Sequence, residues 1–137
     1  MKRDAPKRSV AGVAVEKGKL FIAKRKAGGA LGGKWEFPGG KVDGNESDEE
    51  SLLREYQEEL GVVIGIGSFL GSAFFEHNGT NKVNAYRIYF SDCDFSFEEH
   101  TEYRWASLDE IKGLDFVDSD RKLLPFVERY LNLNEEF

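Results

Sequence analysis

Short apolar runs separated by turn-forming residues predict β-strands at the start of the chain. RSVAGVAVE and KLFIAKRK are rich in β-branched and apolar residues, and the intervening Lys17 and Gly18 predict a tight hairpin turn. The next segment, AGGALGGK, contains four glycines and few side chains that can pack, so we expect a mobile loop. KWEFPGGK then predicts a short strand that ends in a turn.

A helical pattern follows, between Ser47 and Gly61. Ser47 precedes Glu50 by three positions, which is the capping-box spacing that satisfies two free backbone donors at a helix start. Apolar and acidic residues separate into two stripes at helical spacing: Leu52, Leu53, Tyr56 and Leu60 form one, and Glu55, Glu58 and Glu59 form the other. We therefore expect one face to pack and the other to present carboxylates.

The second half of the chain contains both strand and helix signals. VVIGIGSFLGSAFFEH and KVNAYRIYFSDCDF predict strands joined by a turn over residues 78–81, and EYRWASL predicts a short strand. Ser107 and Glu110 repeat the capping-box spacing before LDEIKGL, and SDRKLLPFVERYL predicts a terminal helix kinked at Pro125. The sum is an α/β arrangement, a mixed sheet with helices packed on it in one domain.

Length and composition limit the number of domains and the cellular compartment that we expect. The 137 residues suit a single domain with its own core, and the single cysteine, Cys93, excludes an internal disulfide. No apolar run is long enough to cross a bilayer, and the charged N-terminal MKRDAPKRS lacks the apolar stretch of a secretion signal. We expect a cytoplasmic protein with no membrane partner.

The charges are unevenly distributed along the chain. The sequence has 19 Lys and Arg against 25 Asp and Glu, a net charge of −6, which disfavours a nucleic-acid backbone unless a local basic patch is present. Much of the acid lies in DGNESDEESLLREYQEEL, whereas the first 41 residues are rich in Lys and Arg. This asymmetry predicts a cationic wall facing an acidic one.

The acidic stripe of the first helix is the strongest chemical signal. Its members, Glu55, Glu58 and Glu59, stand at i, i+3 and i+4. Two such charges about 5 Å apart in a groove repel by roughly 3 kcal/mol at an effective dielectric of about 20. A cleft holding them needs cations, and hard carboxylate oxygens suit magnesium. The alternative is an ordinary solvated helix face.

The wider pattern at residues 40–62 resembles a known family motif. Gly40 is followed after five residues by Glu46, and after seven more by REYQEELGV. This resembles the Nudix box, G-x5-E-x7-R-E-U-x-E-E-x-G-U with U a bulky apolar residue, at every fixed polar and glycine position. Tyr56 departs from it, because the family usually has an aliphatic residue there. A tyrosine ring can be buried at this position, but its hydroxyl needs a partner.

The resemblance extends over nearly the whole chain. WEFPGGK, which leads into the motif, is similar to the same segment in the MutT-like branch of the family. The order of strands and helices is similar to the family's α/β/α sandwich with a mixed central sheet. The resemblance therefore implies a single Nudix hydrolase domain over residues 1–137.

The resemblance also implies a metal site. Its ligands would be the backbone carbonyl of Gly40 and the carboxylates of Glu55, Glu58 and Glu59, with Mg²⁺ as the expected ion and Mn²⁺ as an alternative. Arg54 would orient a glutamate through a charge-assisted hydrogen bond, and Glu46 would be a supporting carboxylate.

One more acid is expected from the loop before the last short strand. MutT-like proteins place it about six residues before a tryptophan, which selects Glu99 ahead of Trp105 as a ligand or a general base. The alternative for this loop is solvated charge. His100 and His77 have no informative spacing, and we expect both to be surface histidines.

Substrate contacts are implied with less detail. Arg25 and Lys41 match phosphate-contacting positions, although Arg25 could equally be a solvated charge at a strand edge. Phe37 matches a pocket position for the base. The stacking candidates are Phe74, Phe75 and Tyr86. Asp118 lies where MutT-like relatives place a residue that reads the edge of the base. The alternative for the aromatic residues is a place in the core.

The implied activity is magnesium-dependent hydrolysis of a nucleoside triphosphate to a nucleoside monophosphate and pyrophosphate, with guanine and damaged nucleotides among the candidate substrates. A second possibility is an RNA 5′-triphosphate end, which the basic N-terminal third could help to hold. A third is a non-catalytic Nudix binding module, against which the intact carboxylate set argues. No stable protein partner is predicted.

Overall fold

Strands and helices occupy most of the chain in the computed structural model, which describes residues 7–134. Part of the charged N-terminal segment, residues 1–6, lies outside the described residues, as do residues 135–137. The described elements are, in order, β1 (Lys7–Glu16), β2 (Lys19–Arg25), β3 (Trp35–Glu36), β4 (Gly39–Lys41), α1 (Asp48–Leu60), β5 (Ile64–Glu76), β6 (Thr80–Phe90), β7 (His100–Ala106), α2 (Leu108–Lys112), α3 (Asp118–Arg121) and α4 (Leu124–Asn134).

The sheet is mixed, as the sequence predicts. Five strands follow the order β3-β2-β1-β6-β5, and β4 and β7 pair with β1 and β2 respectively. The contact between β1 and β6 is parallel, and the other strand pairs are antiparallel. The predicted hairpin of β1 and β2 is confirmed, and its turn residues Lys17 and Gly18 have positive φ angles of 52° and 76°.

Helices cover both faces of the sheet. Alternate residues of β1 point to opposite sides, so that Val13 belongs to one apolar cluster and Ala14 to the other. One cluster packs against α1, and the other packs against α2 and α4. This arrangement confirms the predicted α/β/α sandwich.

Two details of the helices differ from the sequence prediction. Leu53 was assigned to the packed stripe of α1, but its side chain is 43% exposed, whereas Leu52, Tyr56 and Leu60 are buried. The terminal helical segment is broken rather than kinked, because α3 ends before Leu124 and Pro125 stands in the first turn of α4. A proline is tolerated in a first turn, where its missing N–H has no helical acceptor.

Among the described helices, none has both the length and the apolar character needed to cross a bilayer.

Candidate active site

Helix α1 is fixed at both ends and along its buried face. Ser47 and Glu50 form the predicted capping box, and Gly61 ends the helix in the left-handed conformation with φ 67°. Tyr56 is 1% exposed and donates a hydrogen bond of 3.1 Å from its hydroxyl to the carbonyl oxygen of Gly12. A Cβ at Gly12 would lie 2.5 Å from that hydroxyl, so the glycine admits the tyrosine. The unusual residue of the motif therefore docks the helix on β1.

The opposite side of α1 borders a cleft of about 380 Å³. It is lined by the carboxylate face of the helix, which we define as Glu55, Glu58 and Glu59, together with residues of three other segments: Arg25, Gly39, Gly40, Lys41 and Glu99. Two cations and four acids thus line one cleft, which brings Arg25 and Lys41 of the basic N-terminal third together with acids of α1. All five residues predicted as metal ligands line it.

Arg54 connects the carboxylate face to the loop before the helix. Its guanidinium donates to both oxygens of Glu46, at 2.7 and 2.9 Å, and to single oxygens of Glu55 and Glu58, at 2.9 and 3.2 Å. The hydrogen bond from Arg54, with another from the backbone N–H of Asp43, lowers the pKa of Glu46 to about 2. Glu46 therefore remains an anion that holds Arg54 in place, and Arg54 in turn orients two of the cleft carboxylates.

Gly40 lies directly against the carboxylate face. A Cβ at this position would stand 2.5 to 2.7 Å from the carboxylate atoms of Glu55. A side chain at this position would displace the Glu55 carboxylate, so glycine allows the backbone and the glutamate to meet here. Carboxylate oxygens beside a backbone carbonyl form a hard donor set, which fits a divalent cation of the magnesium or calcium type.

Glu59 differs from its two neighbours in being buried. It is 7% exposed, whereas the side chain of Glu58 is 59% exposed. Burial, a hydrogen bond with Glu55 and the nearby charge of Glu36 raise the pKa of Glu59 to about 10. Without a cation, this carboxyl group therefore carries a proton at neutral pH.

Glu99 reaches the cleft from the segment between β6 and β7. This segment lies against the end of α1, because the N–H of Glu98 donates to the carbonyl oxygen of Glu59 at 3.1 Å. Lys26 holds it from the other side, because its N–H donates to the Glu99 carbonyl at 3.0 Å and its ammonium group to the Glu98 carbonyl at 3.1 Å. The Glu99 side chain is about half exposed, at 49%.

The prediction of a surface position is wrong for His100 and confirmed for His77. His77 is exposed, but His100 is 5% exposed, and its Nε2 lies 2.7 Å from Oε2 of Glu36. Glu36 also accepts from Arg25 at 3.2 Å. Sequence reasoning missed both Glu36 and His100, although an acid inside the apolar WEFP segment is a signal that could have identified Glu36.

The predicted base-contacting residues lie outside the cleft of carboxylates. Phe37 is 2% exposed and packs edge-to-face on Phe116, and Phe75 packs against one apolar cluster. Tyr86 donates to Asp48 at 2.7 Å. The exposed Phe74 lies beside Lys82, whose ammonium group is 5.9 Å from its ring centroid.

Asp118 is exposed at the first position of α3, whereas Asp120, two residues further, is buried. Asp120 accepts a hydrogen bond of 2.9 Å from the N–H of Phe37. Burial, with the nearby charge of Glu36, raises the pKa of Asp120 well above its usual range. The sequence prediction did not select Asp120, because burial of one of two neighbouring aspartates is decided by the tertiary fold.

Comparisons with known proteins agree with this geometry. A family model described as the NUDIX domain matches residues 5–127. The chain is 32% identical over 126 residues to a putative 8-oxo-dGTP diphosphatase 2 of Mycobacterium tuberculosis, covering 90% of this chain and 89% of the relative. It is 30% identical over 125 residues to the CTP pyrophosphohydrolase of Escherichia coli, covering 90% of each.

A solved structure has the same fold. The crystal structure of a MutT protein from Methanosarcina mazei superposes with a TM-score of 0.76 and is 31% identical in sequence. The match covers 94% of this chain and 98% of the other.

Proposed function

The chain belongs to the Nudix family, in its MutT-like branch, and from this premise we propose that it hydrolyses nucleoside triphosphates to nucleoside monophosphates and pyrophosphate with the help of Mg²⁺. The observation that carries the proposal is the cleft in which the carboxylate face, Gly40 and Glu99 meet Arg25 and Lys41. A cleft with these charges suits a polyphosphate and a divalent cation together.

Each group of residues around the cleft has a proposed role that follows from its chemistry. The Gly40 carbonyl and the carboxylates of Glu55, Glu58 and Glu59 would hold the cation. When bound, a divalent cation neutralises phosphate oxygens and makes a water molecule more acidic. Arg25 and Lys41 would donate to the phosphate oxygens, since both are cations that line the cleft.

We assign proton removal from the attacking water to Glu99. A general base needs access to water and a position separate from the ligands, and Glu99 satisfies both because it enters from its own segment and is half exposed. Arg54 keeps Glu55 and Glu58 in fixed orientations throughout, because its five donors are distributed over several acceptors.

The names of the relatives indicate candidate nucleotide substrates. One relative is named for 8-oxo-dGTP and another for CTP, so both nucleotides are candidate substrates. Phe37, Phe75, Tyr86 and Asp118 remain the predicted contacts to the base. We place the activity in the cytoplasm, a reducing compartment that suits the exposed lone thiol of Cys93.

A substrate panel tests the proposal. Purified protein with Mg²⁺ is incubated with GTP, dGTP, 8-oxo-dGTP, CTP and a short 5′-triphosphorylated RNA, and pyrophosphate release is followed as an initial rate. We expect turnover of at least one free nucleotide. Faster turnover of the RNA would instead identify an RNA 5′ end as the substrate, and no turnover of any member would overturn the enzymatic proposal.

Two glutamate variants of α1 provide the matched comparison. Glu58→Gln should lower kcat by at least about 100-fold, because it removes a carboxylate from the cleft. Glu49→Gln changes an exposed glutamate of the same helix that does not line the cleft, and its rate should equal that of the unmodified protein. Equal activity of the two variants would contradict the assigned metal site.

A further inference from the structure

A buried polar cluster shares one residue with the carboxylate face, and its other two members have no role in the function proposed above. It consists of Glu36 on β3, Glu59 on α1 and His100 on β7, whose possible ligand atoms all lie within 4.8 Å of one another. The His100 side chain is 0% exposed, and those of Glu36 and Glu59 are each 9% exposed. We call these three residues the buried cluster.

The distances indicate a hydrogen-bonded cluster rather than a second metal site. His100 Nε2 lies 2.7 Å from Glu36 Oε2. Two donors of one transition-metal or magnesium ion, each at about 2.0 to 2.1 Å from it, are separated by roughly 2.9 to 3.4 Å at tetrahedral or octahedral angles. The shorter separation is that of a charge-assisted N–H···O bond.

Glu36 fixes the orientation of the His100 ring. Arg25 Nη1 is 3.2 and 3.3 Å from the two oxygens of Glu36, so the carboxylate is held on one side by Arg25 and on the other by His100. The strand register contributes as well, because it shifts between Lys24 and Arg25 and pairs Arg25 with His100. Irregularities of this kind redirect side chains near functional sites.

The oriented ring faces Glu59. Nε2 of His100 lies 3.8 Å from Glu59 Oε1, which is close enough for an electrostatic interaction but too long for a direct hydrogen bond. With Glu36 as acceptor, the proton of the ring is on Nε2. This N–H donates to Glu36, and at 3.8 Å its positive end contacts Glu59 electrostatically.

The other ring nitrogen argues against a purely stabilising role. Nδ1 of His100 is buried and has no hydrogen-bond partner within residues 7–134. Leaving such a group unsatisfied lowers stability. A histidine that served only stability would be expected to satisfy both nitrogens, so the unpaired Nδ1 needs another explanation.

We propose that His100 is a positioning residue for the metal site, in which its ring, held by the Nε2–H bond to Glu36, restricts the Glu59 carboxylate through electrostatic contact to the conformation that binds the divalent cation. The inference rests on the proposed function, because it assumes that Glu59 is a ligand. It adds a second set of contacts to that site, separate from the contacts of Arg54 with Glu55 and Glu58.

Two amide substitutions distinguish the effect of the polar group at the position of Nε2 from the effect of losing the ring. The amide nitrogen of His100→Gln reaches about as far from the backbone as Nε2, whereas that of His100→Asn reaches only as far as Nδ1. Mn²⁺ binding to the full-length protein without nucleotide is titrated by electron paramagnetic resonance of the free ion. Thermal unfolding with EDTA reports the stability of each variant.

We expect His100→Asn to weaken Mn²⁺ binding by about tenfold or more, the typical effect of losing a group that orients a metal ligand, and His100→Gln to remain within about threefold of the unmodified protein. Both variants should lose similar stability, so a structural effect alone would affect their metal binding equally. Unchanged Mn²⁺ binding by a folded His100→Asn variant would overturn the inference, as would equal losses in the two variants.

Two further outcomes remain informative. If His100→Asn does not fold, Glu36→Gln replaces it, because it removes the charged acceptor that orients the ring; binding should weaken at least threefold, and unchanged binding would refute the positioning role. If the unmodified protein itself binds no Mn²⁺, the metal site of the proposed function fails, and this inference fails with it.

Discussion

Glu59, which we propose as a metal ligand, lowers the stability of the metal-free protein at high pH. Its pKa of about 10, against an ordinary 4.5, arises mainly from burial and from the neighbouring acids. The stability provided by its protonated form is therefore complete below about pH 4.5 and is lost as the pH rises towards 10. A bound cation would remove this cost by compensating the charge.

Glu59→Gln should consequently stabilise the metal-free protein at high pH. Glutamine has a similar shape and no charge, so the stability of the variant relative to the unmodified protein should be higher at pH 9 than at pH 5, by up to about 5 kcal/mol. Thermal unfolding in EDTA at the two pH values measures this gain. Glu58→Gln, which changes a largely exposed carboxylate, should show a smaller difference. Parallel pH profiles for Glu59→Gln and the unmodified protein would contradict the burial argument.

Glu99 is assigned as a base rather than as a ligand, and its variant distinguishes the two roles. Glu99→Gln should lower kcat by roughly 10² to 10⁴, the usual contribution of a general base, while Mn²⁺ binding measured without nucleotide stays unchanged. Weaker Mn²⁺ binding together with the lower rate would identify Glu99 as a ligand instead.

Residues close in sequence were easier to predict than residues brought together by folding. The cluster of Glu55, Glu58 and Glu59 is visible from helical spacing alone, and the family pattern adds Gly40. Glu36 and His100 are 64 positions apart, and their contact depends on the placement of β3 and β7. No local periodicity contains that information.

At the level of elements, α1 and the loop before it form one unit. The capping box fixes the start of the helix, and Arg54 then bonds Glu46 in the loop, the Lys41 carbonyl at 3.1 Å and two helix carboxylates. The guanidinium is the only side chain with enough donors in a planar array for these acceptors.

Arg54→Lys should therefore reduce activity although it keeps the charge. An ammonium group cannot reach all these acceptors at once, so we expect a loss of about 10- to 100-fold in kcat/KM with little change in helix content by circular dichroism. Arg8→Lys is the matched control, because Arg8 bonds Asp48 at the start of the same helix outside the cleft. A kcat/KM for Arg54→Lys equal to that of the control would show that the planar array of guanidinium donors is unimportant.

Most element types were predictable because their signals are local. Capping boxes at Ser47 and Ser107 and the Lys17–Gly18 turn are each contained in a few neighbouring residues, and all three are present in the structure. The exposed Leu53 and the break before Pro125 were not predicted, because they depend on which surfaces the tertiary fold covers.

At the scale of the whole molecule, the fold brings cations and acids together in a way that the net charge alone does not predict. The chain is acidic overall, at −6, yet Arg25 and Lys41 from the sheet line the same cleft as the acids of α1 and Glu99. The mixed sheet with helices packed on it could be predicted from the order of the elements, but the cleft could not, because its walls come from β2, β4, α1 and the segment before β7.

The products formed from the preferred nucleotide of the substrate panel test the central claim most directly. Phosphorus NMR of the complete reaction with Mg²⁺ should show the nucleoside monophosphate and pyrophosphate in equal amounts, with no reaction in EDTA. Formation of the nucleoside diphosphate and orthophosphate, or the same turnover in EDTA as with Mg²⁺, would contradict the account.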